Sequence, residues 1–540
     1  MTDKAGKLAL YKKIEGKKYG SKKDRESNFL SGVFVLSISA IVVKIIGLIY
    51  KIPMFRLLGS EGMGYFNSAY EIYALLCAIS TAGLPIATSL LISRCNGRNG
   101  ASETVFRISM KLFLAIGIVG MVIMLVLSYP ISIFLRNSKS FYSFFAIAPT
   151  LLFICIVSAY RGYFQGMSRM APTAISQLLE ALCKLIFGII LALIALNLGY
   201  DTAKVAAFAL IGLLLGSIVS AIYLTLLKRH DKNLIGQVRI ERERGIVKEL
   251  LRVAIPATFS AAVISITKMV DMTMILRRLQ SIGYGSEQAF SVYGCYTTLA
   301  LPMFALAPAL ISSVALPLIP RLSSAIASGD EEAQIDTVND GIKLTCIISM
   351  PIGMGLSLFS KQILELVFCE QDAAIRFCAP LLSMLGMSVT LSCLVTVTNS
   401  ILHAYGRPTV PLISITVGAF FKAVLAFVLI GCPNVNIAGA PISTFVCDLI
   451  INVINFKYIC EYIPKPIDTG KALVRPFVAS SSAVIFARML FVALQKRYGD
   501  SSAVTLASIF SAAVMYAVLC LALRVTDKND FKKLHRAKNA

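Results

Sequence analysis

Runs of about 20 apolar residues, separated by short polar turns, repeat about fourteen times between residues 29 and 523. Each run matches the hydrocarbon core of a bilayer, roughly 30 Å thick at 1.5 Å per helical residue. Lipid offers no hydrogen-bond partner to open backbone, so every run is predicted to be helical. The fold class that follows is an all-α integral membrane protein of about 14 transmembrane helices. Only 15% of the 540 residues are charged, against roughly 25% in soluble domains, and the mean hydropathy is +0.76; together these exclude a soluble enzyme. No outward turn is long enough to fold as a catalytic domain, so no enzyme activity is expected.

The net charge of +23 sits in tails and in loops beside the spans, where Lys and Arg hold segments on the cytoplasmic side and touch anionic lipids. It is therefore read as membrane topology rather than nucleic-acid binding, and it places both termini in the cytoplasm. Residues 1–28 carry nine Lys and Arg and form a basic tail. The apolar run that follows is too long for a cleavable signal and lacks a small-residue cleavage site. Thirteen Cys occur without a C-x-x-C pair and there are three His, so no metal centre is expected and the thiols read as small core groups. Without a G-x-x-x-x-G-K-[ST] loop the chain does not hydrolyse ATP, and no cofactor is expected. The driving force is left to the membrane potential or to a sodium or proton gradient.

The two halves resemble each other. A slide of 238 residues lays Arg169 on Arg407, Ile175-Ser176 on Ile413-Ser414 and Lys184 on Lys422, and a slide of 224 lays Lys44 on Lys268. Six is an even number of spans, so two six-span units enter the membrane from the same side as a parallel repeat. The expected organisation is a basic tail (1–28), an N-lobe (29–227), a cytoplasmic linker (228–247), a C-lobe (248–460), two additional spans (461–524) and a second basic tail (525–540).

Nine ionisable residues fall inside spans: Lys44, Glu71, Glu180, Lys184, Lys268, Asp271, Lys422, Asp448 and Arg488. At roughly 2.5–3.5 kcal/mol each for insertion, such groups face a bundle interior or a wet cavity. Glu180 and Lys184 are four apart and Lys268 and Asp271 three apart, which predicts ion pairs within single helices that orient the bundle. The alternative is functional: the four repeat-related lysines converge on one positive cavity suited to phosphate, and Arg56, just beyond the first span, extends that surface. Arg488 stands alone and is expected to snorkel to an interface. Pro85, Pro256, Pro302 and Pro308 bend their helices, which serves either static packing or a transporter that opens to each side in turn.

Several segments resemble a known family. They are Asn28-Phe-Leu-Ser-Gly32, Lys44-Ile-Ile-Gly-Leu-Ile-Tyr-Lys-Ile-Pro53, Leu58-Gly-Ser-Glu-Gly-Met-Gly64, Ile79-Ser-Thr-Ala-Gly-Leu-Pro85, Tyr160-Arg-Gly-Tyr-Phe-Gln-Gly166 and Ile255-Pro-Ala-Thr258 with Asp271. In combination they resemble the stage V sporulation protein B and lipid II flippase group of the multidrug/oligosaccharidyl-lipid/polysaccharide exporter superfamily. The resemblance implies two six-helix lobes in a V around a central cavity, plus two C-terminal helices that form a groove for a lipid tail. It also implies alternating access, with basic cavity residues holding a diphosphate. Lys44 matches the first-span cation, with Lys where Arg is usual, which leaves charge attraction without a bidentate fork. Some members hold sodium with carboxylates of spans seven and eleven; Asp271 matches the first, but span eleven carries Lys422, and Asp448 on span twelve is the substitute.

The expected function is a bacterial plasma-membrane flippase for a polyprenyl-diphosphate-linked cell-wall precursor, lipid II or a relative, in peptidoglycan or spore cortex synthesis. The alternatives are a flippase for another lipid-linked polysaccharide unit and a drug or cation antiporter, whose substrates four cavity lysines would repel. Substrate binding is assigned to Lys44, Arg56, Lys184, Lys268 and Lys422, and coupling to Glu71, Glu180, Asp271 and Asp448. The expected partners are an undecaprenyl-diphosphate-linked glycan, anionic lipids and, through the basic tails, cell-wall synthesis proteins.

Overall fold

A computed structural model describes residues 22–95, 101–230, 243–368, 371–463, 470–499 and 501–523. The expected basic tails lie outside these residues, apart from 22–28 at the start of the first helix, and so does 231–242 of the expected linker. We call the end of the bundle where residue 230 and residue 243 lie the linker end, and the opposite end the far end.

The described residues contain thirteen helical segments long and apolar enough to cross a membrane. The first of these, Ile38–Arg94, has 57 residues, about 85 Å of helix and nearly three times a bilayer core. It makes two crossings, because α1 (Lys22–Thr81) breaks at Gly59, where φ of +63° lies in the left-handed region that a side chain resists. Contacts on either side show the reversal. Ser39 reaches Gln177 and Arg94 reaches Glu249 at the linker end, whereas Gly62 packs on Thr202 at the far end. Dividing that segment gives the fourteen spans read from the sequence.

The N-lobe comprises α1, α2 (Leu84–Cys95), α3 (Ala101–Phe134), α4 (Phe141–Ile147) with α5 (Thr150–Gly166), α6 (Ala171–Asn197) and α7 (Thr202–His230). The C-lobe begins with α8 (Glu243–Ser281). Next, α9 (Ser286–Cys295) runs through a π-turn (Tyr296–Ala300) into α10 (Leu301–Ser328). It continues with α11 (Glu331–Leu358), the short α12 (Ser360–Val367), α13 (Asp372–Ala404), α14 (Thr409–Ile430) and α15 (Gly439–Tyr462). Outside the two lobes, α16 (Arg475–Tyr498) and α17 (Ser502–Ala522) dock on α11. There Tyr516 Oη donates to the Ile347 carbonyl at 2.8 Å, and Phe359 packs with Val484 and Phe491. Arg488 does not snorkel: its guanidinium lies 5.6 Å and 5.2 Å from the ring centres of Phe359 and Phe491 in that same seam.

The lobes are sealed together at the far end. The Ser60 and Ser291 hydroxyls share a hydrogen bond of 2.6 Å, Lys139 pairs with Glu287 at 2.6 Å, and Gln280 and Ser286 donate to the carbonyls of Leu135 and Arg136. Backbones touch directly, since a Cβ at Gly64 would strike the Phe290 carbonyl and one at Gly294 the Ser60 carbonyl. Gly64→Ala or Gly294→Ala is accordingly expected to lower the Tm in detergent, at about 1–3 kcal/mol for forcing atoms into a packed seam. Gly355→Ala, whose Cβ would meet nothing within 4 Å, is expected to leave it unchanged or raise it.

Candidate functional site

The seal roofs a cavity of about 630 Å³ between the lobes, lined by α1, α6, α8, α9, the π-turn, α10, α14 and α15. Lys44, Lys184, Lys268 and Lys422 all line it, so helices far apart in sequence bring the four repeat-related lysines to one space. Glu71 and Asp271 line it too, and Glu71 lies near enough to feel the charges of both Lys268 and Lys51.

Lys51 is a fifth lysine that the sequence reading omits. It follows Lys44 by seven residues, two helical turns along the same face, and that spacing was the available signal. Asn67, also lining the cavity, was missed because a single amide carries no pattern. Five lysines against two carboxylates leave the lining with a formal excess of three positive charges.

Other assigned residues lie elsewhere. Arg56 is exposed and is absent from the cavity lining, because five residues past Lys51 turn it away from the α1 face that carries Lys44 and Lys51. Glu180 does not line the cavity and does not pair with Lys184. Its carboxylate is taken by Arg161 of α5 at 2.8 Å, and Arg161 also donates to Ser176 Oγ at 2.9 Å. A guanidinium fork on a neighbouring helix outcompetes an ammonium on the same helix. Asp448 is buried off the cavity beside Ser392, with Oδ2 lacking a hydrogen-bond donor among the described residues.

The two repeat-related lysines Lys184 and Lys422 are partnered differently. Lys422 pairs with Asp271 across α14 and α8, so the expected Lys268–Asp271 pair within α8 is replaced by one between helices. The slide that lays Lys44 on Lys268 lays Gly47 on Asp271, so the N-lobe has no equivalent carboxylate. Lys184 instead stands 5.0 Å and 5.1 Å from the ring centres of Tyr50 and Tyr70, and such faces attract a cation without cancelling its charge. The N-lobe wall, with Lys44, Lys51 and Lys184 against Glu71, is thus more positive than the C-lobe wall, with Lys268 and Lys422 against Asp271.

Contacts across the cavity roof come from the π-turn. Leu301 N–H bonds the Tyr296 carbonyl, and Pro302, next in register, has no N–H, so the Thr297 carbonyl has no backbone donor. Lys51 Nζ fills that place at 2.8 Å. Asn67 Nδ2 donates to the hydroxyls of Thr297 and Thr298, each at 2.9 Å.

Residues 29–326 match the polysaccharide biosynthesis protein family, and residues 256–428 match the MatE family. The chain is 23% identical to Stage V sporulation protein B of Bacillus subtilis over 94% of its own length and 98% of the relative's. It is 26% identical to Lipid II flippase MurJ of the same organism, over 80% and 83% of the two chains. Among solved structures, the inward closed conformation of lipid II flippase MurJ superposes with a TM-score of 0.69 at 15% identity, covering 91% of this chain and 99% of that one. An inward-facing multidrug resistance MATE family transporter gives 0.61 at 16% identity, over 78% and 98%.

Breaking the ion pair tests the arrangement. Lys422→Ala leaves the Asp271 carboxylate unpaired in the membrane and is expected to lower the Tm. The cost stays below the ~3–5 kcal/mol of a fully buried pair, because both groups retain some exposure. Lys422→Ala combined with Asp271→Ala is expected to recover most of that loss in the same unfolding measurement.

Proposed function

The chain belongs to the polysaccharide biosynthesis protein family, within the multidrug/oligosaccharidyl-lipid/polysaccharide exporter superfamily, and from that premise we propose that it is a flippase for a polyprenyl-diphosphate-linked cell-wall precursor. The observation that carries this reading is the convergence of five lysines from both lobes on one cavity with three positive charges in excess. Ammonium groups attract phosphate as point charges from several directions, which suits a diphosphate that must be held and then released. The same charge repels organic cations and disfavours drug export.

In this reading the linker end faces the cytoplasm of a bacterial plasma membrane, and the headgroup enters the cavity from that side while its lipid tail stays among the helices. The far-end seal then parts and the headgroup leaves outward. Moving two negative charges out across about 100 mV, negative inside, releases on the order of 5 kcal/mol, so voltage alone can bias export. Lipid II, or the related precursor of a spore cortex, is the substrate favoured by the likeness to Stage V sporulation protein B and Lipid II flippase MurJ.

The test is outward exposure of lipid II in cells depleted of their own flippase and expressing this chain, read with a label that reaches only the outer leaflet. Wild type is expected to restore labelling and Lys44→Ala and Lys184→Ala to reduce it at least about tenfold at normal membrane levels, the loss of a charge-assisted hydrogen bond. No restoration by inserted wild type would transfer the reading to another lipid-linked polysaccharide unit. Normal restoration by both variants would overturn the cationic cavity.

A further inference from the structure

The far-end seal is a ladder of contacts between α1 and the α9–π-turn segment, and its rungs differ in kind. Most are neutral: the Ser60–Ser291 hydroxyl pair, the glycine backbones at 64 and 294, and the Asn67 amide on Thr297 and Thr298. The innermost is charged. Lys51 Nζ holds the Thr297 carbonyl at 2.8 Å and at the same time lines the cavity among Lys44, Lys184 and Lys268. No backbone N–H competes for that carbonyl, because Leu301 is committed to Tyr296 and Pro302 has none.

We propose that Lys51 is a substrate-sensing latch: its bond to the Thr297 carbonyl keeps the far end shut over an empty cavity, and an anionic diphosphate releases it by drawing the ammonium away. The inference rests on the flippase reading and extends it to how loading is reported to the gate. Lys51 belongs to one lobe and Thr297 to the other, so parting the lobes must break their bond. In the empty protein that loss is offset only by the field of Glu71, which also faces Lys268. With a diphosphate bound, the freed ammonium gains a stronger acceptor, so the anion binds the open state more tightly than the closed one and shifts the equilibrium toward opening. An empty cavity then stays closed, which prevents ion leak through the membrane.

Cys295, buried in the seal beside Gly294, is a native reporter. Its maleimide labelling is measured in protein held in lipid nanodiscs, by mass spectrometry of the peptide that contains it, with and without undecaprenyl diphosphate; binding of the radiolabelled lipid is measured separately. Lys51→Met is expected to label about tenfold faster than wild type without ligand, the factor for one hydrogen bond to a charged group. The ligand is expected to accelerate wild type by a similar factor and Lys51→Met no further. Lys51→Arg, which keeps a charged donor, is expected to label as slowly as wild type. Asn67→Ala, which removes a neutral rung, is expected to label faster at rest and still respond to ligand.

Equal resting rates for wild type and Lys51→Met overturn the latch whether or not the lipid binds. Binding of the lipid to wild type without acceleration overturns it as well, and leaves the flippase reading standing. Fast resting labelling of Lys51→Met together with no lipid binding to wild type overturns the sensing of a diphosphate together with the flippase reading, and leaves Lys51 only as a closing bond.

Discussion

Every backbone N–H and C=O that faces lipid in this protein must find its partner within the chain, because the hydrocarbon has none to give. That constraint makes each of the fourteen spans a helix, and it governs what happens wherever a helix is interrupted. The π-turn at Tyr296–Ala300, followed by Pro302, strips one carbonyl of its donor, and a lysine from the opposite lobe supplies the replacement. A local defect in one helix thereby becomes a bond between lobes.

The same constraint sorts the intramembrane charges into two kinds. Arg161 with Glu180, and Lys422 with Asp271, are pairs between neighbouring helices of one lobe, each fixing how two helices meet. Lys44 and Lys268 have no such partner among the described residues and stand exposed to the space between the lobes. Glu71 stands in the same cavity within the field of Lys268 but forms no ion pair with it among the described residues, so the cavity keeps more positive charge than negative. The repeat therefore supplies matched lysine positions, while the replacement of a carboxylate by Gly47 in the N-lobe makes the two walls unequal in charge.

The far-end seam closes the cavity with direct backbone contact over a layer of apolar side chains. Backbones approach directly at Gly64 and Gly294, so the lobes meet along a line of small residues and short hydrogen bonds. Beneath it an apolar cluster joins Tyr50, Met54 and Phe55 to Phe290, Leu299 and Phe368, and excludes water from the roof. A seam of this kind tolerates little intrusion, and parting it also withdraws the ring of Tyr65 from Phe290 and that of Phe55 from Phe368.

The sequence by itself determined the helices, their number and the repeat, because apolar length against bilayer thickness and the 3.6-residue period are local properties. It also determined that Lys44, Lys184, Lys268 and Lys422 hold matched positions, since a repeat is visible as spacing. Only the tertiary structure decided which charge pairs with which. Spacing within a helix favoured Glu180 with Lys184 and Asp271 with Lys268, yet side chains on adjacent helices offered Arg161 and Lys422 at better geometry. Arg56, by contrast, is kept from the cavity by spacing that the sequence already carried, because five residues past Lys51 turn it to another face of α1. The tertiary structure alone revealed Lys51 as a bridge, because the carbonyl that holds it is vacant only through a turn type that hydrophobic patterning does not encode.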